Sequence, residues 1–321
     1  MEAITLAPRR LLLTGDVGAV PVTRWRGVWG MALKECCPAA YAAVFEGIVE
    51  GAPARPAYVL REVPSPVPGR RTLSWTLIGR EAIAHEAALM EAWALAGRQG
   101  VGRGRSAFRV AQRQPLGPDG APAARGMASW PLSRASWPLP GDPQCTPCRV
   151  SFPAGIHLRY SNRFLDAPTW PDLLHAMYKR ALGWLPEDAQ ATLAAAWPEW
   201  ERAALARPAQ VETAPLTLPA VWSGRQERER VYLAVAGRAD LPAGPGPAWP
   251  VLLAAQWLHV GRHTTEGLGG VQACAAIALK SNGLSGDSPD KSRAPADGAI
   301  TLTHTCCCPN LGSGNNRQPV I

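Results

Sequence analysis

Apolar positions along the first 110 residues switch between a period of two and a period near that of a helix. Leu73–Ile78 alternates as a strand with one buried face. Ala84, Ala87, Ala88, Met90 and Leu95 then recur at helical spacing. Glycines end that helix, a basic glycine-rich loop follows (GRQGVGRGR, 97–105), and Ser106–Val110 reads as another strand. Upstream, Ile4–Leu13 has the pattern of a strand and Trp25–Lys34 that of a helix.

Residues 231–273 repeat this order. Val231, Leu233 and Val235 alternate as a strand. Pro250 suits the first turn of a helix carried by Val251–Val260, and GRHTTEGLGG (261–270) is a second glycine-rich loop. Arg149–Arg159 and Pro171–Leu182 open this half as strand and helix. Strand–helix–strand, met twice in each half, predicts an α+β chain of two tandem ferredoxin-like (RRM-like) domains. The first spans residues 1–112 and the second 149–273, with an extra helix, Pro186–Ala206, inserted in the second. Glu187 and Asp188 near the start of that helix, and Arg202 and Arg207 near its end, match its dipole. Residues 113–148, rich in Pro, Gly and Ser and punctuated by Trp130 and Trp137, read as a linker or long surface loop. Residues 274–321 lack apolar periodicity and read as a disordered tail.

Charge adds a partner class. The net charge is +8, and residues 1–112 hold 14 Arg and Lys against 9 Asp and Glu. A basic excess favours a polyanion such as nucleic acid. Nearly all of it is Arg, in a chain also rich in Ala, Gly and Pro, so codon composition is a second source of the same excess. No run approaches the ~20 apolar residues of a membrane helix. The start, MEAITLAPRRLLLTGD, lacks the order of a secretion signal, so the expectation is a cytoplasmic protein with no membrane partner. No GxxxxGK[ST] loop is present, which leaves nucleotide hydrolysis unsupported. Cys145-Thr-Pro-Cys148 is a single CxxC, and with Cys36 and Cys37 it would supply four thiolates for zinc. One CxxC beside a CC pair does not define such a site, and the expectation is no metal and no cofactor.

Five segments resemble one family. They are RWRGVWGMALKECCP…YAAVFEG at 24–47, LIGREAIAHEAALMEAWALAGRQGVGRGRSAF at 77–108, VSFPAGIHLRYSNRFLDAPTWPDLLHAMYKRAL at 150–182, VWSGRQERERVYLAVAGRADL at 221–241 and LLAAQWLHVGRHTTEGLGG at 252–270. Together they resemble the CRISPR-associated precursor-crRNA processing endoribonucleases of the RAMP superfamily, and LHVGxxTTxGLGG is the most specific piece. The arginine-rich character and extra helix resemble the processing subunit of type IV CRISPR systems. The resemblance implies cleavage of CRISPR repeat RNA at a hairpin base without metal, with the product hairpin retained. It also implies other CRISPR effector subunits as partners. Many members carry a catalytic histidine in the first helix, whereas residues 24–47 contain none.

Cleavage of this kind uses the neighbouring 2′-hydroxyl as nucleophile. It needs a base, stabilisation of the phosphorane charge, and a proton for the departing 5′ oxygen. Arg24 and Arg26 stand where the missing histidine would be, at a helix start suited to a phosphate. Arginine stabilises negative charge but cannot act as a base. His263, in the second glycine loop, is the better proton-transfer candidate. His259, in the apolar run QWLHV, fits core structure as well as catalysis. Candidate RNA contacts are Arg98, Arg103 and Arg105 in the first loop, Arg262, Gly267 and Gly269 in the second, and Arg159, Arg163 and Arg225 elsewhere in the second half. A competing reading is a catalytically inactive RNA-binding RAMP subunit of an effector complex, which the missing first-helix histidine favours.

Overall fold

A computed structural model of the chain describes residues 1–276 apart from 50–51, 54, 219–220 and 224–227. The first half contains β1 (Thr5–Thr14), α1 (Val22–Cys36), β2 (Tyr58–Val63), β3 (Arg71–Ile78), α2 (Glu86–Gln99) and β4 (Arg109–Pro115). Its antiparallel sheet has the order β2-β3-β1-β4. The second half contains β5 (Cys148–Ile156), α3 (Trp170–Leu182), α4 (Glu187–Leu205), β6 (Gln210–Thr217), β7 (Leu233–Leu241), α5 (Trp249–Leu258) and β8 (Gln272–Ala275), with the order β6-β7-β5-β8. Both halves have the ferredoxin-like plan, and α4 is the inserted helix.

Strand alternation sends β1 into two cores. Ala7, Leu11 and Leu13 join Trp25, Trp29, Trp75 and Trp93 in the core of the first half. Leu6, with Ile4 just before the strand, joins the core of the second half beside Phe152, Leu173 and Leu252. One strand therefore ties the halves together through the period of two in its side chains. Trp29, fully buried, stacks on Trp93 at 5.4 Å and meets Trp75 and Tyr58 edge-on. Arg9 shares the helix-facing side of β1 and is 1% exposed; its Nε and Nη2 donate to Glu86 at 2.6 and 2.7 Å.

Several expected boundaries move. The strand expected at Ser106–Val110 runs instead over Arg109–Pro115, because the glycine loop closes on itself through a Val101–Ser106 bridge. Its last three residues fall inside the stretch read as a linker. That stretch is also packed. Trp130 pairs with Leu6 of β1, donates Nε1 to the Leu116 carbonyl at 2.9 Å and meets Trp257 edge-on at 5.0 Å. The stretch read as a tail begins too early, since Cys274 and Ala275 pair with Arg149 and Cys148 in β8. Residues 277–321 of that tail lie outside the described residues. Among the described residues, no helix is long and apolar enough to cross a membrane. Nor does any group of three or more His, Cys, Asp or Glu side chains among them converge as metal ligands.

The contrast between ion pairs yields a stability prediction. Glu86→Gln leaves the buried Arg9 without its counter-charge and should cost about 3 kcal/mol, the lower end for a broken buried pair because Glu86 keeps 15% exposure. Arg134→Ala breaks a pair whose partners are 68% and 52% exposed and should cost less than about 1 kcal/mol. Urea unfolding midpoints check both; equal losses would contradict the ranking.

Candidate active site and nucleic-acid interface

The second glycine loop is shaped by backbone rather than by side-chain charge. After α5, His259 (φ +59°), Gly261 (φ +80°) and His263 (φ +61°) turn the chain out of the helix. The loop is pinned to the end of β5: Arg262 N donates to the His157 carbonyl at 3.0 Å, and Gly269 N to the Gly155 carbonyl at 2.9 Å. A Cβ on Gly269 would lie 2.2 Å from the Val260 carbonyl oxygen, so no side chain fits. A Cβ on Gly267 would lie 3.0 Å from Val22 at the start of α1. The two glycines are buried, and they let the loop dock on the first half.

Docking assembles a polar cluster from both halves. Arg26 donates Nε to the Tyr58 hydroxyl at 3.0 Å and lies 4.4 Å from the centre of the Phe45 ring. Tyr58 is also hydrogen-bonded to the Thr265 side chain; burial pushes its phenol up to about 12 against the pull of Arg26, so it stays neutral. Burial works against the Arg26 charge, but Tyr58 and Glu266 hold its pKa above the ordinary arginine value. His263 Nδ1 lies 3.0 Å from Glu266 Oε2. Burial favours the acid form of Glu266, yet hydrogen bonds from His263 and Tyr232 and the charge of Arg26 hold its carboxyl below the usual range. The Tyr232 ring meets His263 edge-on at 4.7 Å, and the His157 ring meets it at 5.2 Å.

Further arginines, exposed or half-buried, stand on neighbouring elements. Arg159 and Arg163 sit on a short hairpin, Arg159–Tyr160 paired with Arg163–Phe164, whose turn residues Ser161 and Asn162 have φ of +45° and +64°. Tyr160 on that hairpin is 72% exposed. Arg262 is exposed on the loop itself, and Arg24 is half-buried on α1.

The other candidates divide. His259 is 3% exposed and its Nδ1 lies 3.1 Å from the Leu268 carbonyl. Burial, with Arg61 and Arg180 nearby, keeps its pKa well below the ordinary value, so it is a neutral group inside the seam. Arg98, in the last turn of α2, and Arg103 and Arg105 on the first glycine loop are exposed, and no described hydrogen bond, ion pair or ring contact links them to the cluster. Arg225 lies outside the described residues. Sequence reasoning did not single out Tyr58, His157, Tyr232 or Glu266. Glu266 was within reach, three residues beyond His263 in one loop. Tyr58 joins through the docking of the halves, His157 through its bridge to Gly261 and Tyr232 through its bond to Glu266.

Residues 144–271, which hold His157, Tyr232, His263 and Glu266, match the profile of the CRISPR-associated endoribonuclease Cas6. The fold is similar to that of a Cas6 product complex, with a TM-score of 0.53 and 15% identity over 83% of this chain and 99% of that one. Thermus thermophilus Cas6 gives a TM-score of 0.52 at 14% identity, over 85% and 99%. A partial Cas6-RT-Cas1–Cas2 complex gives 0.52 at 12%, over 86% of this chain and 47% of that one. A comparison with curated proteins gave no match.

The loop geometry carries its own prediction. Gly269→Ala combines a positive φ with a contact no Cβ tolerates, and should cost about 1–3 kcal/mol or more. Thermal unfolding reads the loss, and an unchanged Tm would show that the loop does not need this backbone.

Proposed function

We propose that this chain is an endoribonuclease that cleaves CRISPR repeat RNA at a hairpin base by attack of the 2′-hydroxyl on the adjacent phosphate, without a metal, and retains the product hairpin. The observation that carries the reading is the His263–Glu266 pair beside Arg26 and Arg262, inside the stretch that matches the Cas6 profile. With Nδ1 engaged by Glu266, His263 keeps Nε2 for proton transfer. Arginine forks stabilise the phosphorane that forms when the 2′ oxygen bonds to phosphorus. The substrate supplies its own nucleophile, which is why the reaction calls for RNA and not DNA. The products are a 2′,3′-cyclic phosphate and a 5′-hydroxyl. His259 has no part in proton transfer here, because it is buried and neutral.

A second reading, a catalytically inactive RNA-binding subunit of an effector complex, draws on one observation: α1 carries Arg24 and Arg26 and no histidine. Labelled repeat RNA in EDTA separates the two. Cleavage that persists in chelator and stops with a 2′-deoxy sugar at the cut site supports the enzyme; intact RNA bound tightly supports the second reading. Arg24→Ala and Arg26→Ala should each slow cleavage more than they weaken binding, and wild-type rates in both would remove these arginines from the site.

Phosphate clamping by the exposed arginines has a thermodynamic signature. Arg103→Ala with Arg105→Ala should weaken binding of any stem sequence alike and flatten the dependence of log affinity on log salt, by roughly 0.7–0.9 for each lost phosphate contact. A loss confined to one stem sequence would point to base readout instead.

A further inference from the structure

His157 and His263 come from different parts of the second half and meet edge-on, ring centres 5.2 Å apart. His157 follows the last residue of β5, and the parallel bridge from His157 to Gly261 sets it beside the glycine loop. Its Nδ1 lies 2.7 Å from the Leu233 carbonyl oxygen. A carbonyl only accepts, so Nδ1 carries the proton and Nε2 holds the lone pair. Glu266 engages His263 through Nδ1 in the same way. Each imidazole is anchored through one nitrogen and keeps the other for chemistry.

We propose that His157 and His263 are the paired proton-transfer groups of this site, His157 taking the proton of the 2′-hydroxyl and His263 giving one to the departing 5′ oxygen. The proposal rests on the ribonuclease reading above. His157 Nε2 removes the proton as the 2′ oxygen bonds to phosphorus. The bond from phosphorus to the 5′ oxygen breaks, and protonated His263 delivers its Nε2 proton to that oxygen. His157 ends protonated and His263 neutral, and exchange with water restores both.

The neighbours set the direction. An imidazolium at His263 has the Glu266 carboxylate 3.0 Å away as its counter-ion. The groups around His157 are the opposite kind: Arg159 on the hairpin, Arg262 and His263 on the loop, the neutral Phe164 ring at 5.1 Å and the Leu233 carbonyl. Burial first, and then these positive neighbours, hold His157 below the ordinary histidine value against the opposing effect of the Leu233 bond. His157 is thus in its basic form at neutral pH. Both proton-transfer groups then belong to the second half, and α1 is free to carry arginine where many family members carry histidine.

The test uses the full chain and two RNAs, one normal and one with sulfur replacing the 5′ oxygen at the cut site. A thiolate leaves without a proton, so the second RNA needs a base but no acid. In single-turnover cleavage of normal RNA, His157→Ala and His263→Ala should each lose about a hundredfold or more, with RNA affinity changed less than threefold. On the sulfur RNA, His263→Ala should recover to near the wild-type rate and His157→Ala should stay slow. His157→Asn, whose amide can still donate to the Leu233 carbonyl, should be as slow as His157→Ala. The wild-type rate should rise with pH below the ordinary histidine range, and that limb should vanish in both His157 variants. Wild-type rates in the His157 variants, or recovery of His157→Ala on the sulfur RNA, would overturn the pairing while leaving the ribonuclease reading intact. No cleavage by the wild-type chain would remove that reading and the pairing with it.

Discussion

The candidate site depends on the docking of the second glycine loop onto the first half. Gly267 closes against Val22, Thr265 reaches Tyr58, and Tyr58 in turn receives Arg26. Each step needs the one before it. Positive φ at His259, Gly261 and His263 turns the loop, the loop meets β2 and α1, and that meeting sets Glu266 near Arg26. Backbone strain in two non-glycine residues is the cost, and the hydrogen bonds to Gly155 and His157 hold it in place. Arg180 reinforces the seam from α3, donating to the Leu258 carbonyl and the Thr264 hydroxyl; burial, with Arg55 nearby, lowers its pKa to about 10.

The proposed mechanism divides the work between arginine and histidine according to what each can do. Arg26 is held by Tyr58, Phe45 and Glu266, so it is a fixed positive charge at the seam. A guanidinium in that position can oppose phosphorane charge but cannot move a proton. In the proposed reaction the proton transfers fall to two imidazoles, His263 on the loop and His157 at the end of β5. On that proposal, the absence of histidine from α1 and the presence of His157 and His263 beside the loop are parts of one arrangement.

The fold was legible where burial imposes a period. Trp25 and Trp29 on α1, Leu73 and Trp75 on β3, and Val251–Leu253 on α5 announce their elements because their faces are fully buried. The edge strands β2 and β6 were not singled out. Tyr58–Val63 and Gln210–Thr217 each pair on one side only, and β6 is half-exposed along its length. The glycine loops were legible from composition, but their roles were not. Gly267 and Gly269 read as a phosphate cradle, and the close packing they allow is visible only once Val22 and the Val260 carbonyl are placed beside them. His263 was legible in its motif, whereas His157 depends on the bridge to Gly261, which no local pattern encodes.

The proposed chemistry lies at the seam rather than on the open glycine loop of the first half. A crystal structure with a repeat RNA blocked by a 2′-deoxy sugar at the cut site tests this most directly. The account predicts the uncleaved phosphate within hydrogen-bond distance of His263 Nε2, on the side of the loop that faces His157 and Arg262. A phosphate seated instead among Arg98, Arg103 and Arg105, away from both histidines, would contradict it.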